Sequence, residues 1–378
     1  MRFFDAFSGY GGFHLGIERA YVNLRSNELA DSQRPEELHK PKDKQLKWKC
    51  VGYSEIDKYA SAVYKYHFGG KDELQRSGSP RPPHRGSTQD LPKGFGLSTI
   101  KDTSDTNISK QGGQSARNFG DITKIDPATI PDFDLFCGGF PCQAFSIAGK
   151  RLGFAETRGT LIYEVFRILK EKQPRFVLLE NVKGLLSHDS GRTFKTIISS
   201  LAELGYSVEW QVLNAKNFGV PQNRERVFII GHLGGFGGRQ VFPIRGDNEE
   251  TKNTTHPTID ANYYKGHSNQ RRVMAVPVLT PDRPEKRQNG RRFKENGDPS
   301  FTLTGQDKHG VYDGMKIRRL TPTECERLMG LPDDWTSKGD FDGEIKEISD
   351  TQRYKLCGNG VVVNVVEYII DKLFRIKK

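Results

Sequence analysis

Cysteine is scarce in this chain, with five in 378 residues. Cys50, Cys137, Cys142, Cys325 and Cys357 form no CxxC pair and no Cys/His cluster with zinc spacing, which argues against a disulfide framework or a structural metal and for a reducing compartment. Long apolar runs are missing too. Nothing approaches membrane-spanning length, and the opening "MRFFDAFSGYGGF" has no basic segment leading into a long apolar core, so a cytoplasmic location away from membranes is expected. Acidic residues are outnumbered: 47 Asp+Glu face 58 Lys+Arg, a net charge of +11 that favours a polyanionic partner such as nucleic acid.

What is present is an alternation of short apolar runs with amphipathic stretches through the first 232 residues, the pattern of an α/β fold with a mostly parallel sheet. Strands are expected at 2–7, 48–55, 133–137, 175–181, 207–213 and 226–231. In "GTLIYEVFRILKEKQP", Leu161, Val165, Ile168 and Leu169 share one helical face and Pro174 closes the segment; "FKTIISSLAELGY" repeats the design with Gly205 as terminator. Two polar segments, 23–47 and 69–118, read as surface insertions. From 233 to about 316 the sequence is loop-rich and basic, as for a second domain. Thr321 and Glu324 then have capping-box spacing, with Leu320 placed to staple to Cys325, and "CGNGVVVNVVEYIIDKLF" reads as a glycine turn entering an apolar helix.

Several positions have the chemistry of a site. "DAFSGYGG" follows the first strand into a helix starting near Phe13, and its glycines let a ligand approach the backbone at the helix's positive end. Glu55 ends the next strand, where a carboxylate can accept from two ribose hydroxyls, and Asp121 beside Ile122 could clasp an adenine. Each alone is as readily a connector or a surface acid. Cys142 lies on a Pro-Cys turn in a Gly-rich loop, a setting for a reactive thiolate, whereas Cys137 and Cys325 read as small buried residues. "FVLLENVKGL" is buried strand up to Leu179 and changes character at Glu180, while Arg224 and Arg226 in "QNRERVFIIG" are spaced to share one strand face.

Taken in order, "DAFSGYGG", "SEIDKYA", "GDIT", "GFPCQAFSIAGK", "RGTLIYEVFRIL", "ENVKGL", "PQNRERVFIIG", "RRLTPTECERLMGLPDDW" and "GNGVVVNVV" resemble the cytosine-C5 DNA methyltransferase family, bacterial and phage modification enzymes above all. The resemblance implies a class I S-adenosylmethionine-dependent methyltransferase fold, a seven-stranded, mostly parallel sheet, with a small, loop-rich target-recognition domain. It divides the chain into a catalytic and cofactor-binding part at 1–235, a recognition part at 236–339 and a segment at 340–378 returning to the first. It places Asp5, Phe7, Gly9, Gly11, Gly12, Glu55, Ile56, Asp121, Ile122, Pro141, Leu161, Asn359 and Val361 around S-adenosylmethionine. Ser8 in place of a frequent alanine, Ile56 in place of a larger aromatic, and the two insertions depart from the family pattern.

The same resemblance assigns the chemistry. Cys142 would add to C6 of a cytosine flipped out of double-stranded DNA, Glu180 would hydrogen-bond N3 and the exocyclic amine, Arg226 would hold O2, and Arg224 would support the pocket. Gly149, Gly153 and Gly159 would hinge a closing loop carrying Lys150 and Arg151. Within 271–294 eight basic residues face two acids, a phosphate-tracking pattern, and Thr302-Leu303 resembles the recognition domain's mark, with Gln306, Lys308, Arg291 and Arg292 near base edges. A monomer is expected, with any cognate restriction endonuclease acting separately and no metal. Two other readings stand beside this one: a tRNA cytosine methyltransferase, whose Pro-Pro-Cys and Cys-Phe-Thr marks are absent, and a DNA-binding regulator without catalysis, against which the presence of Cys142, Glu180, Arg224 and Arg226 counts.

Overall fold

The computed structural model describes residues 1–31, 48–69, 116–141, 161–237, 240–244, 276–282, 291–295, 298–312 and 317–375. Seven strands, β1 (Arg2–Ala6), β2 (Lys49–Ser54), β3 (Arg117–Asn118), β4 (Leu135–Gly139), β5 (Phe176–Val182), β6 (Tyr206–Asn214) and β7 (Glu225–Leu233), form one sheet in the order β3-β2-β1-β4-β5-β7-β6. All neighbours pair in parallel except β7, which runs antiparallel to both β5 and β6. This is the mostly parallel seven-stranded sheet expected.

Its central strands are buried on both faces, because helices cover each side. Phe3, Leu135, Leu178, Phe228 and Ile230 point into one core, shared with α1 (Gly12–Asp31) and the C-terminal α7 (Val363–Phe374). Phe4, Phe136, Val177, Leu179, Val227 and Ile229 alternate to the other face, against α3 (Leu161–Lys172) and α4 (Arg192–Glu203). The apolar stripe read in α3 is buried as expected, and Gly205 follows α4 with φ +90°. Helix α7 lies so close on α1 that a Cβ at Gly16 would come within 2.7 Å of Val366.

Beyond β7, the strands β8 (Val276–Leu279), β9 (His309–Tyr312) and β10 (Ile317–Arg319) form a small antiparallel sheet. Its chain leaves the main sheet under restraint. Glu209 on β6 accepts from Val241 N at 3.0 Å, Phe242 N at 2.8 Å and His232 Nε2 at 2.8 Å. Gln211 exchanges two hydrogen bonds with the backbone of Ile244, both 2.7 Å. After β10, helix α5 (Pro322–Leu328) starts with the full Thr321–Glu324 capping box, and Leu320 and Cys325 are buried in one cluster. A hairpin of β11 (Lys338–Phe341) and β12 (Glu344–Glu347) and helices α2 (Lys58–Phe68) and α6 (Asp350–Asn359) are the remaining strands and α-helices among the described residues.

The bounds of both expected insertions are corrected. Helix α1 runs to Asp31, into the first supposed insertion, so residues 23–31 continue a helix. Arg117 and Asn118 end the second supposed insertion as a strand on β2. The glycine turn expected in "CGNGVVVNVV" falls at Gly360, after Cys357, Gly358 and Asn359 have closed α6, and the expected apolar helix, α7, follows from Val363. Gly358 is required for contact, not for bending: a Cβ there would collide with the backbone of Thr304 and Gly305. Among the described residues no helix is long and apolar enough to cross a membrane.

Candidate active site and cofactor cradle

The parallel strands β1, β2 and β4 end at one edge of the sheet, and the turns after them build a cradle. Asp5 is fully buried near the end of β1 beside Cys137, and its Oδ2 has no hydrogen-bond partner. Burial, with the nearby charge of Glu55 second, raises its carboxyl well above the usual carboxylate range. Phe7 and Gly9 follow with φ of +53° and +56°, a left-handed excursion that frees the Gly9 amide to donate to Glu55 Oε2 at 2.9 Å. The other carboxylate oxygen accepts from Asp57 N at 2.7 Å. Burial raises the Glu55 pKa while these amides oppose the rise.

Open space faces Gly9, where a Cβ would meet nothing within 4 Å, and Ile56 beside Glu55 is 76% exposed. Gly11 and Gly12 pack tightly, against Phe68 and Val361 respectively, so their small size serves the fold. Asp121 caps a short turn, accepting from Thr123 N at 3.0 Å and Thr123 Oγ1 at 2.8 Å, bonds that hold its carboxyl below the usual range; Ile122 is buried. Leu161 packs at the start of α3, and Pro141 is exposed. From the far end of the chain, Val361 is fixed by Tyr10 Oη donating to its carbonyl at 2.6 Å, and exposed Asn359 lies beside Gly305.

One residue of this cradle escaped sequence reading. Asn118, assigned there to a polar insertion, accepts from Glu55 N at 3.3 Å and Gly120 N at 2.8 Å and donates to Glu55 O at 3.1 Å. It therefore pins the Glu55 turn to the loop carrying Asp121. Nothing in its local sequence signals this.

Next to the cradle lies an ion pair. Glu180 stands opposite Gly139 in the β4–β5 register, and Arg226 Nε reaches its Oε1 at 3.0 Å. The reversal of β7 makes this pairing possible: the start of β7 meets the end of β5. Burial raises the Glu180 pKa, with Arg226 and then Arg224 opposing. Asn181 donates to Phe140 O at 2.7 Å, tying the end of β5 to the chain leaving β4. Cys142 comes next after Pro141 and lies outside the described residues, as do Gly149, Lys150, Arg151, Gly153 and Gly159.

Arg224 differs from the expectation of two arginines on one strand face. The strand starts at Glu225, and Arg224, 3% exposed, turns to main-chain carbonyls: Nη1 donates to Leu303 O at 2.7 Å, Nη2 to Gly358 O at 3.1 Å and Gly360 O at 2.7 Å. Desolvation, with Arg226 next, lowers its pKa to about 10. Gln222, which sequence reading also passed over, is fully buried, donating to Leu328 O at 2.8 Å and accepting from Leu303 N at 3.0 Å. Ser300 N bonds Pro221 O at 2.8 Å, Asn223 N bonds Ser300 O at 2.9 Å, and Thr302 Oγ1 donates to Asn223 O. Residues 221–224 and 300–303 thus run zipped together.

Cys137 and Cys325 are buried, as expected. Of the basic residues described near this part of the chain, Arg291 pairs with Glu295 and Lys308 with Asp282, both pairs exposed, and Lys294 donates to the carbonyls of Pro299 and Ser300. Arg271, Arg272, Arg283, Lys286 and Arg287 lie outside the described residues.

Residues 100–272 and 239–375 match a family model described as C-5 cytosine-specific DNA methylase. The chain is 34% identical to the type II methyltransferase M1.ScrFI of Lactococcus lactis subsp. cremoris, over 98% of this chain and 77% of that protein. It is 31% identical to the type II methyltransferase M.HhaI of Haemophilus parahaemolyticus, over 98% of this chain and 93% of that protein. Among solved structures, Schizosaccharomyces pombe Dnmt2 methyltransferase matches with a TM-score of 0.59 at 17% identity, covering 99% of this chain and 98% of that one, a likeness of fold.

Proposed function

The chain belongs to the C-5 cytosine-specific DNA methylase family and is a DNA cytosine-5-methyltransferase; on that premise we propose which residues perform the reaction. The family and fold are those of S-adenosylmethionine-dependent methyltransferases. The cradle fits that molecule's nucleoside. Glu55 is oriented by two amide donors with lone pairs left for ribose hydroxyls, the exposed Ile56 offers an apolar surface to a base, and the space before Gly9 admits a ligand to the backbone. Asp5, Phe7, Gly11, Gly12, Asp121, Ile122, Pro141, Leu161, Asn359 and Val361 complete the set, several by shaping the turns. When bound, S-adenosylmethionine supplies an electrophilic methyl group for C5.

Cytosine C5 is a poor nucleophile until something adds to C6. Cys142 carries that role as a thiolate, forming a C6–S bond and moving electron density toward C5. Glu180, kept protonated to higher pH than an exposed glutamate by burial, donates to N3 as charge develops there. Arg226 orients Glu180 and holds O2, while Arg224 holds the surrounding main chain. Once C5 carries the methyl group, loss of the C5 proton and return of the N3 proton to Glu180 let elimination break the C6–S bond and release Cys142 as the thiolate. The cytosine must leave the duplex to reach this edge, so double-stranded DNA is the substrate and base flipping precedes chemistry.

Residues 236–339 form the recognition part in this reading, and the packing of α7 on α1 supports a return of 340–378 to the catalytic part. The enzyme works as a monomer in the cytoplasm of a prokaryotic cell, any restriction endonuclease acting apart from it. Neither tRNA methylation nor a regulator without catalysis is favoured. The observation that carries the proposal is Glu180, largely shielded from solvent, paired with Arg226 and aligned with the end of β4, two residues before the Pro141–Cys142 step.

Bisulfite sequencing of plasmid from cells expressing the protein is expected to show protected cytosines at one sequence, and none with Cys142→Ser. A duplex of that sequence with 5-fluorocytosine at the target is expected to give a denaturation-resistant adduct at Cys142. Methylation that persists in Cys142→Ser, with no adduct, would overturn the assignment.

A further inference from the structure

Arg224 joins three stretches of chain that have different work in the reading above. It sits just before β7, one residue from Glu225 and two from Arg226. One end of its guanidinium holds Leu303, in the Thr302-Leu303 stretch assigned to DNA recognition. The other end holds Gly358 and Gly360, on either side of Asn359 and next to Val361, assigned to the cofactor. The two loops also touch directly: Gly358 packs on the backbone of Thr304 and Gly305, and Asn359 Oδ1 stands 3.0 Å from where a Gly305 Cβ would lie. On the recognition side, Gln222 holds Leu303 from below through its carboxamide.

We infer that Arg224 makes cofactor binding and DNA binding mutually reinforcing. Ordering either loop sets the guanidinium, and the set guanidinium holds the other loop's carbonyls; the second ligand then pays less of the ordering entropy. The guanidinium suits this because its donors are fixed in a plane and can serve carbonyls on opposite sides, which a lysine ammonium cannot reproduce. Linkage makes the effect reciprocal, so cofactor must tighten DNA by the factor by which DNA tightens cofactor.

This inference rests on the proposed roles of Asn359, Val361 and the Thr302-Leu303 stretch. Its test uses the full chain, S-adenosylhomocysteine as a non-reacting cofactor probe, and a duplex carrying the site found by bisulfite sequencing. Dissociation constants are measured by calorimetry for the cofactor probe with and without duplex, and by fluorescence anisotropy for the duplex with and without the probe. The wild type is expected to show the same factor both ways, on the order of tenfold. In Arg224→Lys the factor is expected to collapse toward one although each ligand still binds alone. Tyr10→Phe, which loosens Val361 without touching the recognition side, is expected to weaken the probe while keeping the factor.

Should Arg224→Lys fail to fold, Arg224→Gln serves in its place, since it removes the fork that spans Leu303 on one side and Gly358 and Gly360 on the other. A wild-type factor of one, or a full factor in the folded variant, overturns the inference. A wild type that binds neither probe nor duplex takes the proposed function down with it. Tight independent binding of both sinks the coupling alone.

Discussion

Replacing Glu180 with glutamine separates chemistry from architecture at one atom. The side chains of Glu180 and Arg226 are 12% and 16% exposed, and their contact is a 3.0 Å bond from Arg226 Nε. Glutamine keeps an acceptor in that place and loses the charge, so the fold exchanges a hydrogen bond between ions for one with a neutral partner, a difference of about 1 kcal/mol. Catalysis loses far more. An amide cannot hand a proton to N3, and general acid catalysis of this kind contributes about 10²- to 10⁴-fold, or roughly 3–5 kcal/mol of barrier. Single-turnover transfer of tritiated methyl groups at saturating DNA and cofactor reads the second quantity, and calorimetric unfolding reads the first. The expected result is a loss of at least two decades in rate with a small drop in melting temperature. The raised pKa of Glu180 adds that the wild-type alkaline limb set by this group lies above that of an exposed glutamate and vanishes in the variant. Glu180→Gln retaining turnover within an order of magnitude of wild type refutes the proton-donor role.

Asp5→Asn tests the buried carboxyl under the cradle. Its folded pKa is raised, so the unfolded chain releases the proton first; from about pH 4 upward to the folded value each pH unit costs the native state about 1.4 kcal/mol, and below pH 4 the cost disappears. The variant is therefore expected to gain stability over wild type as pH rises through that window, and unfolding curves that shift in parallel across pH contradict this. Gly358→Ala forces a methyl group into the Thr304–Gly305 backbone, which cannot rotate aside, at a cost of about 1–3 kcal/mol. Weaker binding of both S-adenosylhomocysteine and duplex is expected, and unchanged affinities for both count against the contact.

The elements legible in the sequence are those written in local signals. Apolar runs of strand length located six strands of the sheet to within a few residues, and the Thr321–Glu324 spacing gave a capping box because both partners lie within one turn. Helix α1 beyond residue 22 was missed because Asn23, Arg25 and Ser26 are exposed polar residues that mark no apolar stripe. Asn118 was lost inside a polar segment. The meaning of Arg224 was out of reach for a different reason: its carbonyl partners are 79, 134 and 136 positions away, and a backbone carbonyl leaves no mark of residue type. The separate use of Gly358 was hidden in the same way, since a glycine needed for close approach looks in sequence like one that turns the chain, as Gly360 does.

The segment between the main sheet and Ser300 is moored at two berths. At the near one, Glu209 and Gln211 grip the backbone of Val241, Phe242 and Ile244; at the far one, Pro221 and Asn223 grip Ser300, and Gln222 grips Leu303. Every bond at the near berth ends on backbone amides and carbonyls, so it is indifferent to the side chains between. The stretch between them has a third hold, the ladder of β8 on β9, so a chimera that exchanges residues 245–299 with those of a relative must keep the β8 pairing edge as well as both moorings.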